Sequence, residues 1–95
     1  MGEIMNIEIN GIQYKVIKDN DKTCDVELLK EMMTDYFNDY DYIVGDWAYS
    51  KLRLKGFTKK NNKINNKIND YSQVDFYIKN NCAYGCKYFI LEKIQ

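Results

Sequence analysis

The dipeptide Asn10-Gly11 separates two alternating runs, with Met5, Ile7 and Ile9 before it and Ile12, Tyr14 and Val16 after it. Alternation of apolar and polar residues is the period of a strand with one buried face. Asn-Gly is the two-residue sequence best suited to a type I′ turn, because both central residues there need positive φ. The register follows. Ile9 lies opposite Ile12 and Ile7 opposite Tyr14, which leaves Glu8, Gln13 and Lys15 on the other face. A lone hairpin is marginal in water, so its apolar face requires a second layer.

The next apolar pattern supplies that layer. Val26, Leu28, Leu29, Met32, Met33, Tyr36 and Phe37 fall within half of a helical wheel, which predicts a helix from Val26 to Asn38 capped by Thr23 or Asp25. Its methionine and aromatic stripe reads as core, not as a cofactor box. Strands are expected at Tyr40 to Val44 and Ser50 to Phe57, joined through Gly45-Asp46-Trp47-Ala48-Tyr49. That junction reads as a type II′ turn at Gly-Asp or as a wider loop presenting Trp47. The Asn/Lys tract 58–70 has few apolar groups to offset its ordering and is expected to be a mobile loop.

A second helix is predicted from Tyr71 to Asn81, with Tyr71, Val74, Tyr77 and Ile78 on one side, a cap at Asp70 or Ser72 and an end near Gly85. The segment Lys87 to Ile94 is apolar on both faces through Tyr88 to Leu91, so it belongs inside the sheet. The order is ββαββαβ, an α+β sandwich of two or three layers around a mainly antiparallel sheet. With 95 residues, 45% of them hydrophobic, one domain with one modest core is expected.

Composition narrows the chemistry. Histidine is absent, which removes Ser-His and Cys-His nucleophile pairs and every imidazole metal site. The three cysteines include no Cys-x-x-Cys and read as mostly free thiols of a reducing compartment. Cys82 and Cys86 at i and i+4 could form a redox pair or, with Cys24 and a carboxylate, bind zinc. The ligand set is short for zinc, and small buried residues are the preferred reading. No apolar run is long enough to span a bilayer, and Met1 to Ile9 does not resemble a secretory signal, so the cytoplasm is the expected location.

Charge is divided along the chain. From Thr23 to Asp46 there are seven acids and one base, and from Trp47 to Asn69 seven bases and no acid. Either the two halves neutralise each other in the fold or a basic face is left for an anionic partner. Lys51, Arg53 and Lys55 alternate with Leu52 and Leu54, so in a strand the three cations share one face at spacings of roughly 6 to 7 Å. Such a row suits the phosphates of single-stranded RNA, with Trp47, Tyr49 or Phe57 available for stacking. It equally suits the solvent face of a strand. Asp39, Asp41 and Asp46 invite a reading as a divalent-cation cluster, against the turn and helix-terminating roles that aspartate commonly fills.

The stretches Tyr-Asp-Tyr-Ile-Val-Gly-Asp-Trp at 40–47, Leu-Arg-Leu-Lys-Gly-Phe at 52–57 and Cys-Ala-Tyr-Gly-Cys-Lys-Tyr-Phe-Ile-Leu at 82–91 resemble the YutD-like family of small cytoplasmic proteins of Firmicutes. The resemblance implies a compact α/β domain and a low-GC Gram-positive host, and it carries no activity. Family members tend to have glycines around the tyrosine after the tryptophan, whereas this chain has Ala48 and Ser50. Lys51 stands where a glutamine is common.

Two functions follow as expectations. The first is a non-enzymatic binding module that engages RNA or a ribonucleoprotein through Lys51, Arg53 and Lys55, with Asp46, Trp47 and Tyr49 as loop and aromatic anchor. The second is a protein-interaction module anchored by Trp47, Tyr49 and Tyr42, since Trp, Tyr and Arg dominate interface energetics. An enzyme is the least favoured reading, and no catalytic residue, cofactor or metal is assigned.

Overall fold

A computed structural model of the chain describes residues 5–19, 24–48, 50–81 and 87–94. Strand β1 (Met5–Ile9) and strand β2 (Ile12–Asp19) form the expected hairpin, with Ile9 opposite Ile12 and Ile7 opposite Tyr14. Asn10 and Gly11 take φ of 55° and 79°, the positive values that the turn needs. Helix α1 (Val26–Met32), strands β3 (Tyr42–Ala48) and β4 (Lys51–Phe57), helix α2 (Val74–Asn81) and strand β5 (Tyr88–Lys93) complete the set. The five strands form one antiparallel sheet in the order β1-β2-β5-β3-β4. The last strand in sequence is thus the middle strand in space, and this is why its residues are apolar on both sides.

A helix covers each face of the sheet. Leu29 and Met33 pack with Ile7, Ile9, Tyr14, Val16, Ile43, Leu52, Phe89 and Leu91 on the α1 face. Val74 packs with Tyr42, Val44, Phe57 and Ile90 on the α2 face. Ile90 points one way and Phe89 and Leu91 the other, so β5 contributes to both cores.

The first helix is shorter than its apolar pattern. It stops at Met33, whose extended backbone drops its side chain into the core, and Thr34 then caps a separate 3₁₀ turn over Asp35–Asp39. The cause is local competition: the Thr34 hydroxyl accepts from the Tyr36 amide, offering the backbone an alternative to the helix. Asn10 donates to the Met33 carbonyl at 2.7 Å, so the hairpin turn satisfies a group that the helix end leaves open. Asp25 is the N-cap of α1, accepting from the Leu28 amide. Tyr36, expected in the core, is 66% exposed.

The β3–β4 junction also differs. Gly45 and Asp46 are not a turn, because β3 runs straight through them to Ala48, which pairs with Lys51. Gly45 is needed for close approach: a Cβ there would stand 2.2 Å from the Phe89 ring. The reversal falls after Ala48, where Ser50 has a φ of 66°. Tyr49 lies outside the described residues, as do Cys82 and Cys86 and the expected helix end at Gly85.

The tract 58–70 is not starved of ordering interactions, because its asparagines replace apolar contacts with local hydrogen bonds. Asn66 Oδ1 accepts from the amides of Ile68 and Asn69, and Asn69 Nδ2 donates to the Ile64 carbonyl. The buried Thr58 hydroxyl donates to Asn69 Oδ1 at 2.9 Å and accepts from Asn65. Short amide side chains mimic backbone turns in this way, a contribution that an apolar count does not register. Asp70 caps the following helical segment through the Ser72 amide and pairs with Lys60 at 3.0 Å. Those contacts, the Ser72 amide first, hold its carboxyl well below the usual carboxylate range.

Candidate functional site

Strand β4 is an edge of the sheet, and among the described residues no strand lies along its outer side. Its alternation places Lys51, Arg53, Lys55 and Phe57 on the α2 face and Leu52 and Leu54 on the α1 face, as the sequence implies. The three cations do share a face. They do not form a uniform row.

Arg53 stands opposite Asp46 across the ladder. Both Nε and Nη2 of the guanidinium donate to Oδ2 of Asp46, and the Tyr77 hydroxyl donates to Oδ1 at 3.3 Å. The Asp46 side chain is fully buried, while that of Arg53 is 45% exposed. Charged donors on one oxygen and a neutral one on the other are what a carboxylate needs to leave water. Burial pushes the Tyr77 hydroxyl pKa up and the Asp46 charge adds to it, with Arg53 acting in the opposite sense. Lys55 Nζ lies 5.5 Å from the Phe57 ring centre and 6.0 Å from that of Tyr77, within reach of cation–π attraction. Lys51, at the far end, is exposed. One acid of the negative half therefore covers the middle cation of the row, and two rings hold the next.

The other expected residues are redistributed. Trp47 lies in β3, not on a loop, and packs half-buried against the α1-side core. Tyr42 is buried, stacked on Tyr71 with ring centres 3.8 Å apart and bonded to Glu92, so it is not a surface anchor. Asp39, Asp41 and Asp46 are not brought together: Asp41 accepts from the Lys59 amide and Asn62, and Asp46 faces Arg53. Among the described residues no three acids or cysteines sit together as a cation site would require. Cys24 is half-buried, and burial, followed by the charges of Asp19 and Asp25, pushes its thiol up to about 11, away from a reactive thiolate.

A groove of 430 Å³ runs around the β4 edge. The 3₁₀ turn lends it Tyr36 and Phe37, the residue after the turn Tyr40, the strand Arg53 through Gly56, and Asn66, Ile68, Asn69 and Tyr77 complete the lining. Tyr36 and Ile68 are 66% and 72% exposed. Tyr40 lies across Gly56, where a Cβ would meet its ring at 2.4 Å. Sequence reasoning missed this lining because the helical wheel sent Tyr36 to the core, where only its neighbour Phe37 packs. A usable signal was Thr34, which breaks that helix one residue after the last buried methionine. Its exposed Tyr36 and Ile68 and its half-exposed Arg53 suit the groove to binding.

The chain is similar throughout its length to known proteins. A family profile described as "Putative antitoxin YutD-like" matches residues 8–92. The "Putative antitoxin YutD" of Bacillus subtilis (strain 168) is 37% identical over 89 residues, covering 94% of this chain and 98% of that protein. The solution NMR structure of the B. subtilis yutD protein superposes with a TM-score of 0.79, covering 100% of this chain and 86% of that one. The matched span takes in both helices, β2 to β4, all of β5 but Lys93 and the residues that line the groove, and the chain belongs to the YutD-like family.

Proposed function

We propose that this protein is a small non-enzymatic module that binds a protein partner along the β4 edge, in the manner of an antitoxin that holds its target stoichiometrically. The observation that carries it is the conjunction of an open edge strand with a groove walled by exposed Tyr36 and Ile68. Exposed apolar and aromatic groups beside a groove are the usual anchors of protein interfaces. The name given to the relatives agrees, since capture of a partner needs a face and not an active site. The RNA expectation loses its main support, because the described rings named for base stacking are not available: Phe57 is fully buried and Trp47 is packed on the core. The anchor moves from Trp47 to the groove wall.

The test is site-specific photocrosslinking in cells, with the photoreactive side chain at Tyr36 or Ile68 and, as control, at Glu27 on the exposed side of α1. Discrete protein adducts at Tyr36 and Ile68 that survive nuclease and are absent at Glu27 support the reading. Adducts that disappear with nuclease identify RNA instead, and equal adducts at all three positions remove the β4 edge from consideration.

A further inference from the structure

We infer that the partner contributes an extended acidic segment that adds to the sheet as a sixth strand beside β4. The inference rests on the protein-partner reading above and specifies its chemistry. Backbone bonding fixes which groups of β4 face outward. Phe57 accepts from the Asp41 amide on the inner side, whereas Thr58 turns outward, its amide donating to the Asn69 carbonyl at 2.7 Å and its carbonyl accepting from the Tyr71 amide at 2.9 Å. Along an antiparallel strand the N–H and C=O of one residue point to the same side, and the next residue's point to the other. Gly56, Leu54 and Leu52 therefore point outward like Thr58, and among the described residues nothing pairs with that side.

The chain has thus already begun a strand on this edge. Segment 69–71 makes a parallel bridge at Thr58 and Asp70 and then leaves into the second helix, so no described segment pairs with the edge beyond Thr58, where Gly56 is buried beneath the Tyr40 ring and Leu54 is half-buried. The groove occupies that position, running past Arg53, Leu54, Lys55 and Gly56. An incoming strand would turn alternate side chains toward Lys51, Arg53 and Lys55 on one face and toward Leu54 and Tyr40 on the other. The residues that match are acids on the first face and apolar groups on the second.

Charge also chooses between occupants. Residues 47–69 contain no acid, so a second copy of this chain, pairing edge to edge, would set one row of cations against another. An acidic segment meets the opposite sign, including the half-exposed Arg53 guanidinium that Asp46 holds in place.

The probe is a peptide of about seven residues alternating Glu with Val or Tyr, compared with its Lys-for-Glu counterpart, with a copy N-methylated at alternate amides, and with oligouridylate. Binding is read from amide exchange and chemical shifts. The inference expects the acidic peptide to slow exchange at Leu54 and Gly56 by about tenfold or more, with the lysine peptide at least about tenfold weaker and the N-methylated copy inactive. Changing Lys51→Glu and Lys55→Glu together should reverse the preference between the acidic and basic peptides. Absence of acidic-peptide binding, binding that leaves the Leu54 and Gly56 amides unchanged, or equal binding of the N-methylated copy each overturns strand addition. If nuclease-resistant adducts still form at Tyr36 and Ile68, the protein-partner reading survives that result; if oligouridylate alone protects the edge, both fall.

Discussion

Arg53 reaches across the β3–β4 ladder to Asp46, its guanidinium half in solvent and the carboxylate entirely out of it. The pair is therefore asymmetric. Removing the acid frees a cation that can turn to water, whereas removing the cation strands a buried charge with the Tyr77 hydroxyl. Asp46→Ala should cost about 1–2 kcal/mol, and Arg53→Ala about 3 kcal/mol. The double variant should cost less than the sum of the two. Urea unfolding of the three variants checks the order; equal costs for the two single changes would contradict the buried-acid account.

Two glycines make a contrasting pair. A methyl group at Gly45 meets the Phe89 ring, which is fully buried and has nowhere to move, so Gly45→Ala should destabilise by about 2–3 kcal/mol. At Gly56 the obstacle is the Tyr40 ring, which is half-exposed beside the groove and can give way. Gly56→Ala should cost about 1 kcal/mol or less and shift the Tyr40 ring resonances. Denaturation midpoints with aromatic NMR spectra separate the two.

Asn10 has two roles, at the hairpin turn and at the end of α1. Asn10→Gly keeps the positive φ and loses only the bond to the Met33 carbonyl, a cost of about 0.5–1.5 kcal/mol. Asn10→Val loses both, and a β-branched residue at a φ of 55° is strained, so it should be clearly the worse of the two in thermal melts.

Stability should fall at both ends of the pH scale for identifiable reasons. The Asp70 carboxyl is held below its ordinary value, so what it contributes is present above about pH 4 and lost as pH falls below that. Tyr42 is pushed up to about 12 by burial and then by the Glu92 charge. Its contribution is complete below about pH 10 and is lost as pH rises from there through 12. Unfolding measured across pH should show a flatter acid limb in Asp70→Asn and a flatter alkaline limb in Tyr42→Phe.

The opening hairpin and the central position of β5 were legible because each rests on one strong local signal: a turn dipeptide that requires positive φ, and a segment apolar on both faces. The second helix was legible in both face and span, its first turn over Tyr71–Gln73 being 3₁₀, whereas the first was legible as a face but not as a length, since a hydroxyl at Thr34 outweighs a continuing apolar pattern. The junction 45–50 was misplaced because glycine marks either a turn or a close approach, and only the position of Phe89 decides between them. The order in 58–70 was hidden because its asparagines bond to one another at spacings that no hydropathy pattern records. For the binding face, the alternation of Lys51, Arg53 and Lys55 gave the strand and its side. It could not give the edge, which follows from β5 occupying the centre of the sheet.

An unpaired outer edge on β4 leaves a signature in the native-state amide exchange of the isolated chain. The account predicts that the Leu54 and Gly56 amides exchange about a hundredfold faster than those of Arg53 and Lys55, which bond inward to β3. Equal protection of all four amides would contradict it, because the edge would then already be occupied.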